Sequence, residues 1–348
     1  MKTKDGIQKA LKVYCQARSF HFAAQYWALN RISQAVGFKT PIRYQDKELL
    51  KGIQKKLDEL LDADLQRIQD GYYPTSVLRP NLSWDAILKF PRVVVDGFRV
   101  GRRRTQGSAK EFTPRAQNYF DGLPEYYLRN FHYQTDGYLG DESAEIYDYE
   151  VDLLFSGATD AMRRLIIAPL KNQFKNSPDG QGLKFLEIGP GTGRSTQFVK
   201  MAFPKAQIFG VDLSEPYLRV ARSQLKSLQG LNFLQGDGAN LPFKDAEFDA
   251  VYSIFLYHEL PLEIRHSVIR EGLRVLKTGG AFGYVDSIQK RDLPEFDFFL
   301  TEFPKNFHEP FYINYISNSM EKLLGSYPVR PLEQGIGLLS KFQMVAKN

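Results

Sequence analysis

The sequence predicts an α/β fold, a doubly wound and mostly parallel sheet preceded by an N-terminal, mostly helical domain. Three observations point there. Strand-like and helical stretches alternate beyond residue 182, the first strand runs through a glycine-rich turn into a helix, and apolar residues before residue 175 recur at helical spacing.

Weak helical periodicity runs from Ala10 to Phe38. Between Lys47 and Asp70, residues Leu50, Ile53, Leu57, Leu60, Leu61, Leu65 and Ile68 share one helical face, and Gly71 follows as a stop. The pattern returns from Ser143 to Phe174, interrupted by Glu145, Tyr147 and Tyr149. Pro74, Pro80, Pro91, Pro114 and Pro124 punctuate this half, which predicts short helices joined by ordered loops. The stretch Asn176 to Gly182, NSPDGQG, predicts a boundary between a substrate or cap domain (1–175) and a second domain (182–348). Strands are then expected at Leu183 to Ile188, Gln207 to Val211, Asn232 to Leu234, Ala250 to Phe255 and Ala281 to Val285. Helices are expected at Arg194 to Phe203, Glu215 to Leu228 and Leu262 to Leu276, and Pro328 to Lys347 has room for two more strands. In such sheets ligands bind at the carboxyl ends of the strands, near the point where the strand order reverses.

Composition narrows the function classes. Of 348 residues, 43% are apolar and 25% charged, which excludes a disordered or collagen-like chain. No apolar run is long enough to span a bilayer and the first fifteen residues lack a signal-peptide core, so a cytoplasmic enzyme is expected. The single cysteine, Cys15, fits a reducing compartment. Residues 1–120 hold 22 Lys and Arg against 11 Asp and Glu, most densely at Arg99, Arg102, Arg103 and Arg104. That surplus is either a solvated face or a dock for an anionic partner.

The strongest motif is FLEIGPGTGRST, Phe185 to Thr196, between the first strand and its helix. Gly189, Gly191 and Gly193 leave bare backbone against a ligand. A dinucleotide fingerprint needs a third glycine where Arg194 stands, so that reading fails. Asp212 ends the second strand in FGVDLS, where a carboxylate suits ribose hydroxyls, and Asp237 follows the third in QGDGANLPF. With FDAVYSIFLYHELP and EGLRVLKTGGAFGYVDS, these motifs resemble class I S-adenosylmethionine-dependent methyltransferases of the type-11, ubiquinone/menaquinone-biosynthesis-like sort, over about Gly182 to Asp286. The resemblance implies a Rossmann-like sheet and S-adenosyl-L-methionine as cofactor. It places Glu187 near the methionine ammonium, Gly189, Gly191 and Gly193 around the methionine, Asp212 and Leu213 at the ribose, and Asp237, Gly238 and Ala239 at the adenine. Thr278 stands where the family has proline, outside the cofactor site. NFHYQTDGYLGDESAEIYD and FPKNFHEPFYINY resemble an uncharacterised branch that says little of the substrate.

Methyl transfer from a sulfonium needs alignment first and a base second. His258, directly after the fourth strand, is the candidate general base, with Glu259 to fix its tautomer and His132 as a further catalytic candidate. Tyr138, Tyr257, His308 and Tyr312 are candidate substrate contacts. No metal-ligand spacing joins the histidines, so no metal is expected. Ser253 to Tyr257 lacks the Pro-Pro-aromatic signature of enzymes that methylate base amines, and Cys15 is remote, so nucleic acid is not the expected partner. A small-molecule acceptor, methylated on oxygen or carbon, is expected. A macromolecular acceptor, RNA or protein, docked by the basic region, and a non-methylating cofactor-binding protein remain open, as does the oligomeric state, a homodimer included.

Overall fold

A computed structural model describes residues 2–38, 47–78 and 84–348. Seven strands form one sheet: β1 (Lys184–Ile188), β2 (Gln207–Asp212), β3 (Leu231–Gln235), β4 (Phe248–Ile254), β5 (Leu276–Ser287), β6 (Val329–Gly337) and β7 (Ser340–Lys347). Their order is β3-β2-β1-β4-β5-β7-β6. The first five run parallel, while β7 lies antiparallel between β5 and β6. The chain winds outward from β1 to β3 and then returns to the other side of β1 with β4, which opens a crevice at their carboxyl ends. Central strands covered on both faces need continuous apolar runs. Phe185, Leu186, Ala250, Val251 and Phe282 supply them, each at most 1% exposed.

Among the described residues seven α-helices precede the sheet: α1 (Lys2–Ala35), α2 (Lys47–Gln69), α3 (Trp84–Gln106), α4 (Pro114–Gln117), α5 (Asp141–Leu154), α6 (Thr159–Arg163) and α7 (Ile167–Gln173). Within the sheet's own connections lie α8 (Arg194–Ala202), α9 (Glu215–Gln224) and α10 (Leu262–Val275). Between β5 and β6 come α11 (Asp297–Phe307), α12 (Tyr312–Ser317) and α13 (Met320–Gly325). The expected strands and crossover helices are all present to within a few residues, and the tail forms the β6–β7 hairpin.

The first half differs from expectation in helix length. The first three helices span 34, 23 and 23 residues, and Pro91 lies inside α3 rather than ending it. One missing amide bond is offset where the rest of a helix packs. Pro80 lies outside the described residues. The helical stretch from Ser143 to Phe174 is divided at Ser156 (φ 50°) and Gly157 (φ 72°).

The halves on either side of Asn176 to Gly182 share one core. Leu57, Leu60, Leu61 and Leu65 of α2 join Met162, Leu165 and Ile166, and through them Phe185 of β1 and Val345 of β7. Inside this core Arg164 pairs with Asp64 through Nε–H to Oδ1 at 2.9 Å and Nη2–H to Oδ2 at 2.6 Å, and Tyr73 donates its hydroxyl to the same carboxylate at 2.6 Å. The basic knot on α3 is split, with Arg103 and Arg104 turned inward and Arg99 and Arg102 exposed. Arg103 is buried on the Tyr133 carbonyl at 2.7 Å, Arg104 donates to the Asn306 carbonyl at 2.7 Å, and Arg99 and Arg102 pair with Glu142 and Glu111.

Candidate active site

Two cavities lie at the carboxyl end of the parallel strands. The first fills the crevice between β1 and β4, and the turn Gly189-Pro190-Gly191-Thr192 lines it. Gly189 (φ 72°) holds a left-handed conformation that a side chain would strain. A Cβ on Gly238 would stand 2.6 Å from Ile188 Cγ2, so the wall there is backbone by necessity. Gly193 belongs to the turn but does not line the cleft; it precedes α8 and faces Ala221 of α9 and Leu225 just beyond that helix.

Asp212 lines the cleft from the end of β2. Its Oδ2 accepts the Gly191 N–H and its Oδ1 the Ser214 N–H, both at 2.9 Å. A carboxylate offers about four acceptor sites, which leaves room for further hydroxyl donors. Burial raises its pKa above the ordinary range, against the pull of these amides. Helix α9 is capped by Ser214 Oγ, which accepts the Tyr217 N–H at 3.1 Å, and this leaves Asp212 free of that duty. Leu213, Asp237 and Gly238 line the cleft; Ala239 does not, its N–H donating to Asp237 Oδ1 at 2.8 Å.

Glu187 corrects an expectation. It is 0% exposed, and its two oxygens accept the hydroxyls of Ser195, Thr196 and Tyr252. Those bonds turn it away from the cleft and toward the start of α8, so it does not offer itself to the methionine ammonium.

The cover of the cleft comes from the first half. Tyr126, Tyr127, Phe131, Tyr138 and Tyr147 line it, with the Tyr138 ring 5.1 Å from Phe131 and 6.0 Å from Tyr127. Only Tyr138 of these was marked by the sequence as a contact, since aromatics outside a local motif look like core. Below the loop, Asp148 of α5 accepts the Thr192 hydroxyl at 2.8 Å and pairs with Arg163 at 3.0 Å, while Asp160 holds Arg194 at 2.6 Å. This network ties the glycine loop to the N-terminal helices.

The second cavity is larger, about 210 Å³ against about 120 Å³, and is walled by α1, α3, α5 and α11. Phe255 and Tyr147 line both cavities, so the two meet there. His132, His258, Glu309 and Tyr312 stand in the second. His258 Nδ1–H donates to Asp286 Oδ1 at 2.6 Å, while Glu259 Oε1 lies 3.7 Å from Nε2. The partner that fixes the ring is therefore Asp286 rather than the expected Glu259, and it leaves Nε2 as the proton-accepting atom of the neutral ring. Burial disfavours the charged ring, but Asp286 outweighs it and pushes the His258 pKa up to about 9.

Glu259 serves His132 instead. His132 Nε2 lies 2.9 Å from Glu259 Oε1 and 2.9 Å from the Tyr138 hydroxyl, which itself donates to Glu259 at 2.7 Å. Glu309 Oε1 lies 3.4 Å from Nδ1. Between two carboxylates, and against burial, the His132 pKa is pushed up to about 10.

Two expected contacts fall elsewhere. Tyr257 is fully buried edge-on to Tyr284 and lines neither cavity. His308 sits behind the cavity wall against Tyr133, and its left-handed turn (φ 46°) presents Glu309 in its place. Tyr138 lines the first cavity rather than the second. Tyr312 does line the second, its hydroxyl 2.7 Å from Ser287 Oγ. Five of the nine non-glycine residues with positive φ among the described residues, His132, Tyr133, Asp136, Phe255 and His308, cluster at this site. Such conformations cost energy and persist where surrounding bonds over-determine them. Arg103 on the Tyr133 carbonyl and Asp136 on the Thr113 N–H, both at 2.7 Å, are two of those bonds.

A family model described as a methyltransferase domain matches residues 185–280, the span from β1 into β5 that builds the first cavity. Residues 185–280 carry a methyltransferase domain. Among its relatives, the fatty-acid O-methyltransferase of Mycolicibacterium smegmatis is 32% identical over 200 residues, 56% of this chain and 65% of that one. The demethylmenaquinone methyltransferase of Thermotoga maritima is 32% identical over 142 residues, 41% of this chain and 57% of that one. The chain thus spans less than two thirds of these relatives' length. A solved S-adenosylmethionine-dependent methyltransferase from Aquifex aeolicus aligns at 20% identity with a TM-score of 0.36, over 51% of this chain and 88% of that one. The cofactor of such a domain is S-adenosylmethionine, and the cleft of the methyltransferase domain fits it: bare backbone at the turn, a carboxylate with spare acceptor sites at the end of β2, and apolar walls from Ile188, Leu256 and Val268.

Proposed function

We propose that the protein transfers a methyl group from S-adenosylmethionine to a small organic acceptor, on oxygen or carbon, with His258 as general base. The observation that carries this reading is the meeting of the two cavities at Phe255 and Tyr147, with the paired imidazole of His258 on the acceptor side. The bound sulfonium supplies an electrophilic methyl carbon. On this reading the Gly189 to Thr192 turn, Asp212 and Asp237 hold the adenosyl and methionine parts, and the aromatic cover excludes water. The second cavity aligns the acceptor, His258 Nε2 takes its proton, and Asp286 stabilises the imidazolium that forms.

A macromolecular acceptor is less well supported, because Arg103 and Arg104 turn to internal carbonyls while the exposed Arg99 and Arg102 are paired with Glu142 and Glu111. The names of the relatives, which act on a fatty acid and on a menaquinone precursor, favour small acceptors. The test is S-adenosylhomocysteine release across a panel of alcohols, phenols and acids with apolar chains. His258→Ala is expected to lower turnover about 10²- to 10⁴-fold while S-adenosylhomocysteine binding is unchanged. Wild-type turnover in that variant would end the role of His258, and absence of product with every acceptor would end the reading.

A further inference from the structure

The second cavity is apolar along most of its wall, with Leu29, Val93, Val151, Leu154, Phe299 and Phe303 facing it. That lining suits a chain. Its polar side chains include His132, Gln134, Glu150, His258 and Glu309. Two buried oxygens among them have no hydrogen-bond partner, Gln134 Oε1 and Glu309 Oε2. The Gln134 amide is oriented by its Nε2–H, which donates to Glu150 Oε2 at 2.6 Å. Both orphan atoms are acceptors, and leaving a buried acceptor unmet costs about 1–3 kcal/mol. A ligand with one O–H donor meets one of them, and a carboxylate meets neither.

The charges agree with the geometry. His132 is held between Glu259 and Glu309, and His258 sits on Asp286, so each imidazole already faces a carboxylate. Arg104 also reaches the wall, its guanidinium 5.6 Å over the Phe307 ring and its Nε–H on the Asn306 carbonyl.

We propose that Gln134 and Glu309 are specificity-determining residues that admit an apolar-chain acceptor through a neutral O–H head and reject the same chain ending in a carboxylate. This rests on the methyl-transfer reading above. In the reaction the acceptor oxygen forms a bond to the methyl carbon, the carbon–sulfur bond breaks with its electron pair left on sulfur, and the acceptor proton passes to His258 Nε2. Products are the methyl ether and S-adenosylhomocysteine.

The test is calorimetric titration of the S-adenosylhomocysteine-loaded protein with para-octylphenol and para-octylbenzoate, which share a chain and differ in the head. The phenol is expected to bind at least about tenfold more tightly. Glu309→Gln, which removes the charge, is expected to strengthen benzoate binding and shrink that ratio, and Gln134→Leu to weaken the phenol alone. Equal or tighter binding of the benzoate to the wild-type protein, lost in Arg104→Met or not, overturns the proposal. So does binding of neither compound, or an unchanged ratio in a Glu309→Gln variant that still binds S-adenosylhomocysteine. Failure of the wild-type protein to bind S-adenosylhomocysteine at all would instead strike the methyl-transfer reading.

Discussion

His258 lies in the turn after β4 and Asp286 near the end of β5, and their 2.6 Å bond sets the chemistry of the candidate base. The ordinary imidazole pKa of 6.5 is raised to about 9, so at neutral pH the ring is mostly charged and unable to take a proton. Turnover is therefore expected to climb as pH rises from about 7 to about 9 in a pH–rate profile. Replacing Asp286 with Asn removes the charge that raises the pKa. That variant is expected to shift the rise toward lower pH and to lose at least about tenfold in turnover near pH 9 and above, where the wild-type ring is neutral and Asp286 still orients it; an unshifted profile would show that Asp286 does not tune the ring. His258 was legible in the sequence because it follows β4 directly. Asp286 was not legible as its partner, because only the register Ile254 opposite Val285 brings the two together. Glu187 shows the reverse: its place in the motif was plain, but the hydroxyls that absorb both of its oxygens come from α8 and β4.

Elements of the first half are held to the sheet by charge as well as by apolar contact. Asp64 on α2 and Arg164 form a buried pair, 1% and 3% exposed at their side chains. Burial alone would lower the guanidinium pKa, but Asp64 reverses that and raises it. Removing one partner of such a pair strands the other. Asp64→Ala is expected to cost about 3–5 kcal/mol of stability in urea unfolding, whereas Asp58→Ala on the same helix should cost less than about 0.5 kcal/mol. A second tether, Thr192 Oγ to Asp148 on α5, joins the glycine loop to the same set of helices. Strands and crossover helices were readable because alternation and turn glycines mark them locally. The length of α3 was not, because Pro91 argues locally for a break that packing against α1 and α5 overrides.

Across the whole molecule, the two raised histidines link stability to pH. Both folded-state values, about 9 for His258 and about 10 for His132, lie above the ordinary 6.5. The stability they contribute is complete below about pH 6.5 and is lost as pH rises through those two values. The melting temperature is expected to fall between about pH 7 and pH 10, and to fall less in His132→Gln; equal slopes would show that His132 is not charged in the fold. The sequence expected a cap from the first half, but not its residues: the sheet half supplies the glycine loop and part of the second cavity's wall, while Tyr126, Tyr127, Phe131 and the rest of that wall come from helices and loops far away in sequence. The account stands on the crevice between β1 and β4 holding an adenosyl group through Asp212. Calorimetric titration with S-adenosylhomocysteine reads this directly. Binding at one site per chain, weakened at least about tenfold in Asp212→Ala, is the predicted result; no binding, or equal affinity in the variant, would contradict it.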